Sequence, residues 1–135
     1  MRVFLDTNVL VSAFSARGLS ADLFRFLADE HEVVLGEVVL EEFSRVLVNK
    51  LRAPALWVDD LVGTLRTQFT VVPKPSAVSS FEIRDPDDWW ILGSAVAARV
   101  DLLVTGDGDL LSFEGPLPLR ILSPREAWEF LRANP

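Results

Sequence analysis

The chain has 135 residues, half of them hydrophobic and including nine Phe and four Trp, enough to bury one substantial core and too little for a second domain. It has no cysteine, which excludes disulfides, thiolate metal sites and cysteine nucleophiles and fits a reducing, cytoplasmic setting. The formal net charge of −7 runs against a nucleic-acid partner, since such proteins normally neutralise phosphates with a basic surface.

The opening MRVFLDTNVLV is a short apolar run broken by Asp6, neither a signal peptide nor a membrane span. Residues 2–5 predict a strand and 7–14 a helix directly after it, which puts Asp6 at a strand end. A second helix is expected over 20–29 with Ser20 as its cap, then a strand over 32–35. A third helix runs from 38 to 50 and a fourth from 54 to 69, with Pro54 in its first turn, followed by a brief strand over 70–72. The Pro- and Ser-rich segment 73–86 reads as a loop. A helix over 87–99, a strand over 102–104, the turn-rich TGDGD, a strand over 119–122 and a last helix from Pro124, capped by Ser123, complete the chain. Strands alternating with helices imply a parallel sheet covered on both faces, with ligands at the carboxyl ends of its strands.

Four acids stand out by position. Asp6 follows a strand and precedes a helix, where it either caps that helix or faces a ligand. In the third helix Val39, Leu40, Phe43, Val46 and Leu47 form one stripe; Glu41 points about 160° from its centre, whereas Glu42 lies at about 100°, on the edge, where it can reach a cleft. Asp88 falls within about 10° of the centre of the stripe formed by Ile91, Leu92, Ala95 and Val96, so its charge requires capping, pairing or a metal. Asp85 as N-cap, with Pro86, Asp87 and Asp88 in the first turn, is an alternative helix-start reading of the same residues. Asp107 follows the strand 102–104, among glycines that allow a sharp turn and with Asp109 nearby. Two carboxylates at about 4 Å repel by roughly 4 kcal/mol at an effective dielectric of 20, so gathered acids call for a cation, and an all-oxygen set selects Mg²⁺ or Mn²⁺. Two such ions would raise the net charge to about −3 and become part of the phosphate-binding surface. All the basic residues except Lys50 and Lys74 are Arg, the side chain better shaped for phosphate.

FLDTNVL, LEEFSRVL, RDPDDWWILGSA and DLLVTGDGDLL, in this order and spacing, resemble a PIN domain of the bacterial toxin-like branch over nearly the whole chain. The resemblance implies a twisted parallel sheet flanked by helices on both faces and the activity of a metal-dependent endoribonuclease. It also implies a cognate antitoxin that occupies the acidic cleft, and a homodimer. Asp6, Glu42, Asp88 and Asp107 match the family's acidic set, and Asn8 and Thr105 its polar accessory positions. Related sequences often continue the acidic run where this chain has Trp89, which leaves Asp87 and Asp88 as candidates for the third ligand; the helical wheel favours Asp88.

On this reading a metal held by Asp6, Glu42, Asp88 and Asp107 activates water and stabilises charge on the scissile phosphate, without a protein nucleophile. The single histidine, His31, has no neighbouring ligand or triad partner and is expected to be structural. The four tryptophans are expected in the core or a dimer contact rather than on RNA. A phosphatase with an Asp6 nucleophile would want a second acid where Asn8 stands. An inactive module that holds a basic partner in its acidic cleft is the alternative of another class.

Overall fold

The structure, a computed structural model, describes residues 1–75 and 86–134, without the side chains of Pro86 and Asp87. Among the described residues five strands form one sheet: β1 (Arg2–Leu5), β2 (Glu32–Gly36), β3 (Thr70–Val72), β4 (Leu102–Val104) and β5 (Arg120–Leu122). All four pairings are parallel, in the order β3-β2-β1-β4-β5. The helices are α1 (Thr7–Ser15), α2 (Leu19–Glu30), α3 (Glu37–Asn49), α4 (Ala55–Gln68), α5 (Pro86–Ala97), α6 (Gly108–Leu111) and α7 (Pro124–Ala133).

The chain builds outward from β1 to β3, then returns to lay β4 and β5 on the other side of β1. Because parallel crossovers are right-handed, this reversal puts helices on opposite faces. Burial agrees: Val3, Phe4 and Leu5 are all inaccessible to solvent, although alternate side chains of a strand point to opposite faces, so both faces are covered. The reversal leaves a crevice at the carboxyl ends of the paired strands β1 and β4, where the connections leaving them part, the place where open sheets of this kind bind ligands.

On the helical layers, rings meet edge to face from Phe14 of α1 to Phe24 of α2 and Phe43 of α3, with Phe24 reaching on to Phe69 at the end of α4. Phe26 of α2 meets Trp128 of α7 in the same geometry. Such pairs add about 0.5–1.5 kcal/mol each beyond the area they bury.

Several boundaries differ from the sequence reading for local reasons. Gly18, at φ 140°, is the N-cap of α2, so Ser20 lies inside the helix; the left-handed region suits glycine. Pro54 is the N-cap of α4 rather than a first-turn residue. The TGDGD segment is not a sharp turn: it winds into α6, and Gly106 and Gly108 keep ordinary φ values. Ser123 caps α7 as expected, exchanging bonds with Glu126 in a capping box with Pro124 as the first residue. The Asp85 cap lies outside the described residues.

Candidate active site

Register puts the first two site residues side by side. Leu5 pairs with Val104 across β1 and β4, and the Asp6 amide continues the ladder to the Val104 carbonyl at 3.0 Å. Asp6 and Thr105 are therefore neighbours just beyond the strand ends. The Thr105 hydroxyl, fully buried, donates to Asp6 Oδ2 at 2.6 Å and accepts the Asp107 amide at 3.0 Å.

Asn8, the second residue of α1, ties the same two loops together. Its amide nitrogen donates to Asp6 Oδ2 at 3.3 Å, and its carbonyl oxygen accepts the Gly106 amide at 3.0 Å. The remaining Asp6 oxygen, Oδ1, accepts the Thr7 amide at 2.7 Å. Asp6 is thus a helix cap and a cleft residue at once. A carboxylate has about four lone-pair sites, so three donors leave it acceptor capacity to spare.

Asp6 is 5% exposed, and burial pushes its pKa above the usual carboxylate value. The Asp107 charge pushes the same way, while the bonds from Thr105, Thr7 and Asn8 pull against it. The protein holds this carboxylate in one orientation yet leaves its charge under-compensated, a state that a bound cation would relieve.

Asp107 caps α6 with Oδ1, which accepts the amides of Asp109 at 2.8 Å and Leu110 at 3.3 Å. Asp88, on α5, is buried, only 7% exposed, as its helical position indicated. One carboxylate oxygen each from Asp88, Asp107 and Asp109 lie within 4.8 Å of one another. A cavity of about 410 Å³ is lined by Asp6, Thr7, Asn8, Glu42, Asp88 and Asp107, together with Lys50.

The four acids singled out in the sequence thus share one cavity, with Asn8 and Thr105 braced against them. The tightest carboxylate group is different from the expected set, since it takes Asp109 beside Asp88 and Asp107 and does not include Asp6 or Glu42. The cause is α6: once TGDGD becomes helical, Asp109 enters its first turn directly beside its own cap. Sequence reasoning also missed Lys50. Its signal was present in α3, where Glu42, Val46 and Lys50 follow at intervals of four and so share one face.

The donor set fits a hard divalent cation on its chemistry, being all oxygen and largely carboxylate. The Thr7 hydroxyl, buried on the cavity wall and without a hydrogen-bond partner among the described residues, is a further oxygen that a hydrated ion could satisfy.

An open, doubly wound α/β sheet with an acidic crevice at its reversal point is the class of protein these features define. The PIN-domain family model matches residues 2–109, and the chain belongs to that family. Among solved structures it is similar to the VapBC2 complex of Rickettsia felis bound to a promoter DNA fragment, with a TM-score of 0.67 at 14% identity, covering 91% of this chain and 98% of that one. DNA-bound VapBC of Salmonella typhimurium gives 0.65 at 16% identity, covering 92% and 98%. A toxin-antitoxin complex from Klebsiella pneumoniae gives 0.66 at 17%, covering 90% and 97%. A search of the curated proteins finds no match.

Proposed function

We propose that this protein is a metal-dependent endoribonuclease, the toxin member of a toxin-antitoxin pair, with Asp6, Glu42, Asp88 and Asp107 as its metal-binding acids and Asp109 as an addition to them. The observation that carries the proposal is the convergence of Asp6, Glu42, Asp88 and Asp107 on one cavity at the sheet's reversal point, with Asp109 beside Asp88 and Asp107. Membership of the PIN family and the fold shared with toxin-antitoxin complexes support it.

Mg²⁺ or Mn²⁺ bound by these acids would supply a water of lowered pKa and stabilise the charge that grows on the scissile phosphate. The chain's own contribution is orientation. Thr105 and Asn8 hold Asp6 in one rotamer, and the α6 amides do the same for Asp107. The buried walls around Asp6 and Asp88 strengthen every charge interaction made there. Asn8 stands where an aspartyl phosphatase would carry its second acid, and both the nitrogen and the oxygen of its side-chain amide are committed to bracing the site.

The proposal includes RNA as substrate, a cognate antitoxin, a homodimer and a cytoplasmic location. Among the described residues no helix is long and apolar enough to cross a membrane. The test is incubation of purified protein with a mixed RNA pool and Mn²⁺ or Mg²⁺, beside EDTA and an Asp6→Asn variant. Cutting that requires metal and disappears with the variant supports the proposal. Metal binding without any cutting favours the non-catalytic acidic-cleft module instead.

A further inference from the structure

We infer that the groove lined by Arg45, Lys50, Lys74 and Trp90 is a subsite for the phosphates of single-stranded RNA on one side of the scissile bond. The inference rests on the nuclease reading above and assigns a path to its substrate.

Beside the acidic cavity lies a second one, of about 540 Å³, and the two share Glu42, Val46, Lys50 and Ile91 as lining residues. A strand that presents a phosphate to the carboxylates can therefore continue directly into this groove. Its character is the reverse of the acidic cavity's. Arg45, Lys50 and Lys74 line it against Glu41 and Glu42. Glu41 also faces Arg66 of α4, and Glu42 belongs equally to the acidic cavity.

In a chain with a net charge of −7, three exposed cations along one groove are a local departure from the overall charge. The molecule's side-chain ion pairs among the described residues are Arg2 with Glu32, Arg25 with Asp22 and Arg66 with Glu37, so none of the three groove cations is consumed by one. Cations kept available beside a phosphate-handling centre provide the counterion-releasing contacts on which nucleic-acid affinity depends.

Trp90 adds a positioning element. The Lys74 ammonium lies 3.9 Å from the centre of its ring, so the indole holds this flexible side chain over the groove by cation–π attraction. The neighbouring Trp89 packs against the core instead. The combination of a basic groove and an aromatic wall is the usual architecture for tracking a single strand. The cavity, of about 540 Å³, falls within the ~300–1,000 Å³ range of ligand sites.

The test is anisotropy of a fluorescently labelled single-stranded RNA bound to the Asp6→Asn variant without metal, at several salt concentrations. Arg45→Ala and Lys74→Ala are introduced into that background, and circular dichroism verifies their fold. Each is expected to weaken binding several-fold and to reduce the slope of log affinity against log salt by about 0.7, the value for one lost single-strand phosphate contact. Trp90→Leu should weaken binding only when Lys74 is present, whereas a purely structural role would give the same loss with or without it. Unchanged affinity and slope in both Ala variants overturn the subsite. So does retained RNA binding with loss of affinity for a polyglutamate peptide, which would assign the groove to an acidic protein segment. Salt-dependent binding through the groove in a wild-type protein that cuts no RNA would sink the nuclease reading and leave the subsite standing.

Discussion

The Thr105 hydroxyl donates a hydrogen bond to Asp6 and accepts one from the amide of Asp107, so one buried oxygen sets the position of two acids from distant parts of the chain. Thr105→Val keeps the shape and removes both bonds. It is expected to cost about 1–3 kcal/mol of stability by leaving buried polar groups unsatisfied, and to lower metal affinity about 10–100-fold, as loss of a group orienting a ligand does. Thr105→Ser should restore most of both. Chemical denaturation and manganese titration of the three proteins test this, and a Val variant with wild-type metal affinity would refute the bracing role.

Asp6 should oppose stability in the metal-free protein. Its pKa is raised, chiefly by burial, so the stability linked to its protonation is complete below the unfolded carboxylate's pKa and is lost as pH rises through the folded value. At neutral pH the charge is a net burden. Asp6→Asn should therefore raise stability of the apo protein by roughly 0.5–2 kcal/mol, as relief of strained functional sites commonly does, with the gain shrinking towards pH 4. Added Mn²⁺ should raise Tm of the wild type far more than that of the variant. Thermal melts across pH, with and without metal, read both effects.

Glu37 and Arg66 form a bidentate pair between α3 and α4, one of its bonds at 2.8 Å. The Arg66 hydrogen bonds hold the Glu37 carboxyl below its usual pKa. The stability this supplies is present above the unfolded glutamate's pKa and lost as pH falls through the folded one. Both partners are substantially exposed, so Glu37→Gln should cost no more than about 0.5 kcal/mol, with the difference vanishing in acid. Urea denaturation at pH 7 and pH 3 measures it.

Gly36 ends β2 and caps α3, the helix that carries Glu42 and is capped at its other end by Lys50. A Cβ there would lie 2.9 Å from the ring of Phe4, a fully buried side chain of the central strand. Gly36→Ala is expected to destabilise by about 1–3 kcal/mol, the usual penalty for overpacking. Gly36→Ala with Phe4→Leu should recover part of the loss by making room. Equal stability of Gly36→Ala and wild type in a denaturant series would contradict the close approach.

Hydrophobic periodicity made the alternation of strands and helices legible, and with it the parallel sheet and the strand-end positions of Asp6 and Asp107. The burial of Asp88 followed from its place on an apolar stripe, because a helix fixes angular position from spacing alone. What local pattern did not convey was geometry set by tertiary contact. Asp109 joined Asp88 and Asp107 only because α6 formed where glycines suggested a turn. Lys50 and Trp90 came together with Lys74 because α3, α5 and the segment after β3 meet, and no single stretch of sequence records that meeting. The tryptophans divide for the same reason: Trp89 and Trp128 pack against the core, Trp57 is 50% exposed, and Trp90 lines a groove.

Anomalous diffraction from crystals grown with Mn²⁺ tests whether the acids at the sheet's reversal point hold the proposed catalytic cation. A manganese peak is expected at about 2.1–2.3 Å from carboxylate oxygens of the Asp6, Asp88 and Asp107 group, lost in crystals of Asp107→Asn. A well-ordered site with no manganese at millimolar concentration, or manganese bound only elsewhere on the surface, would contradict it.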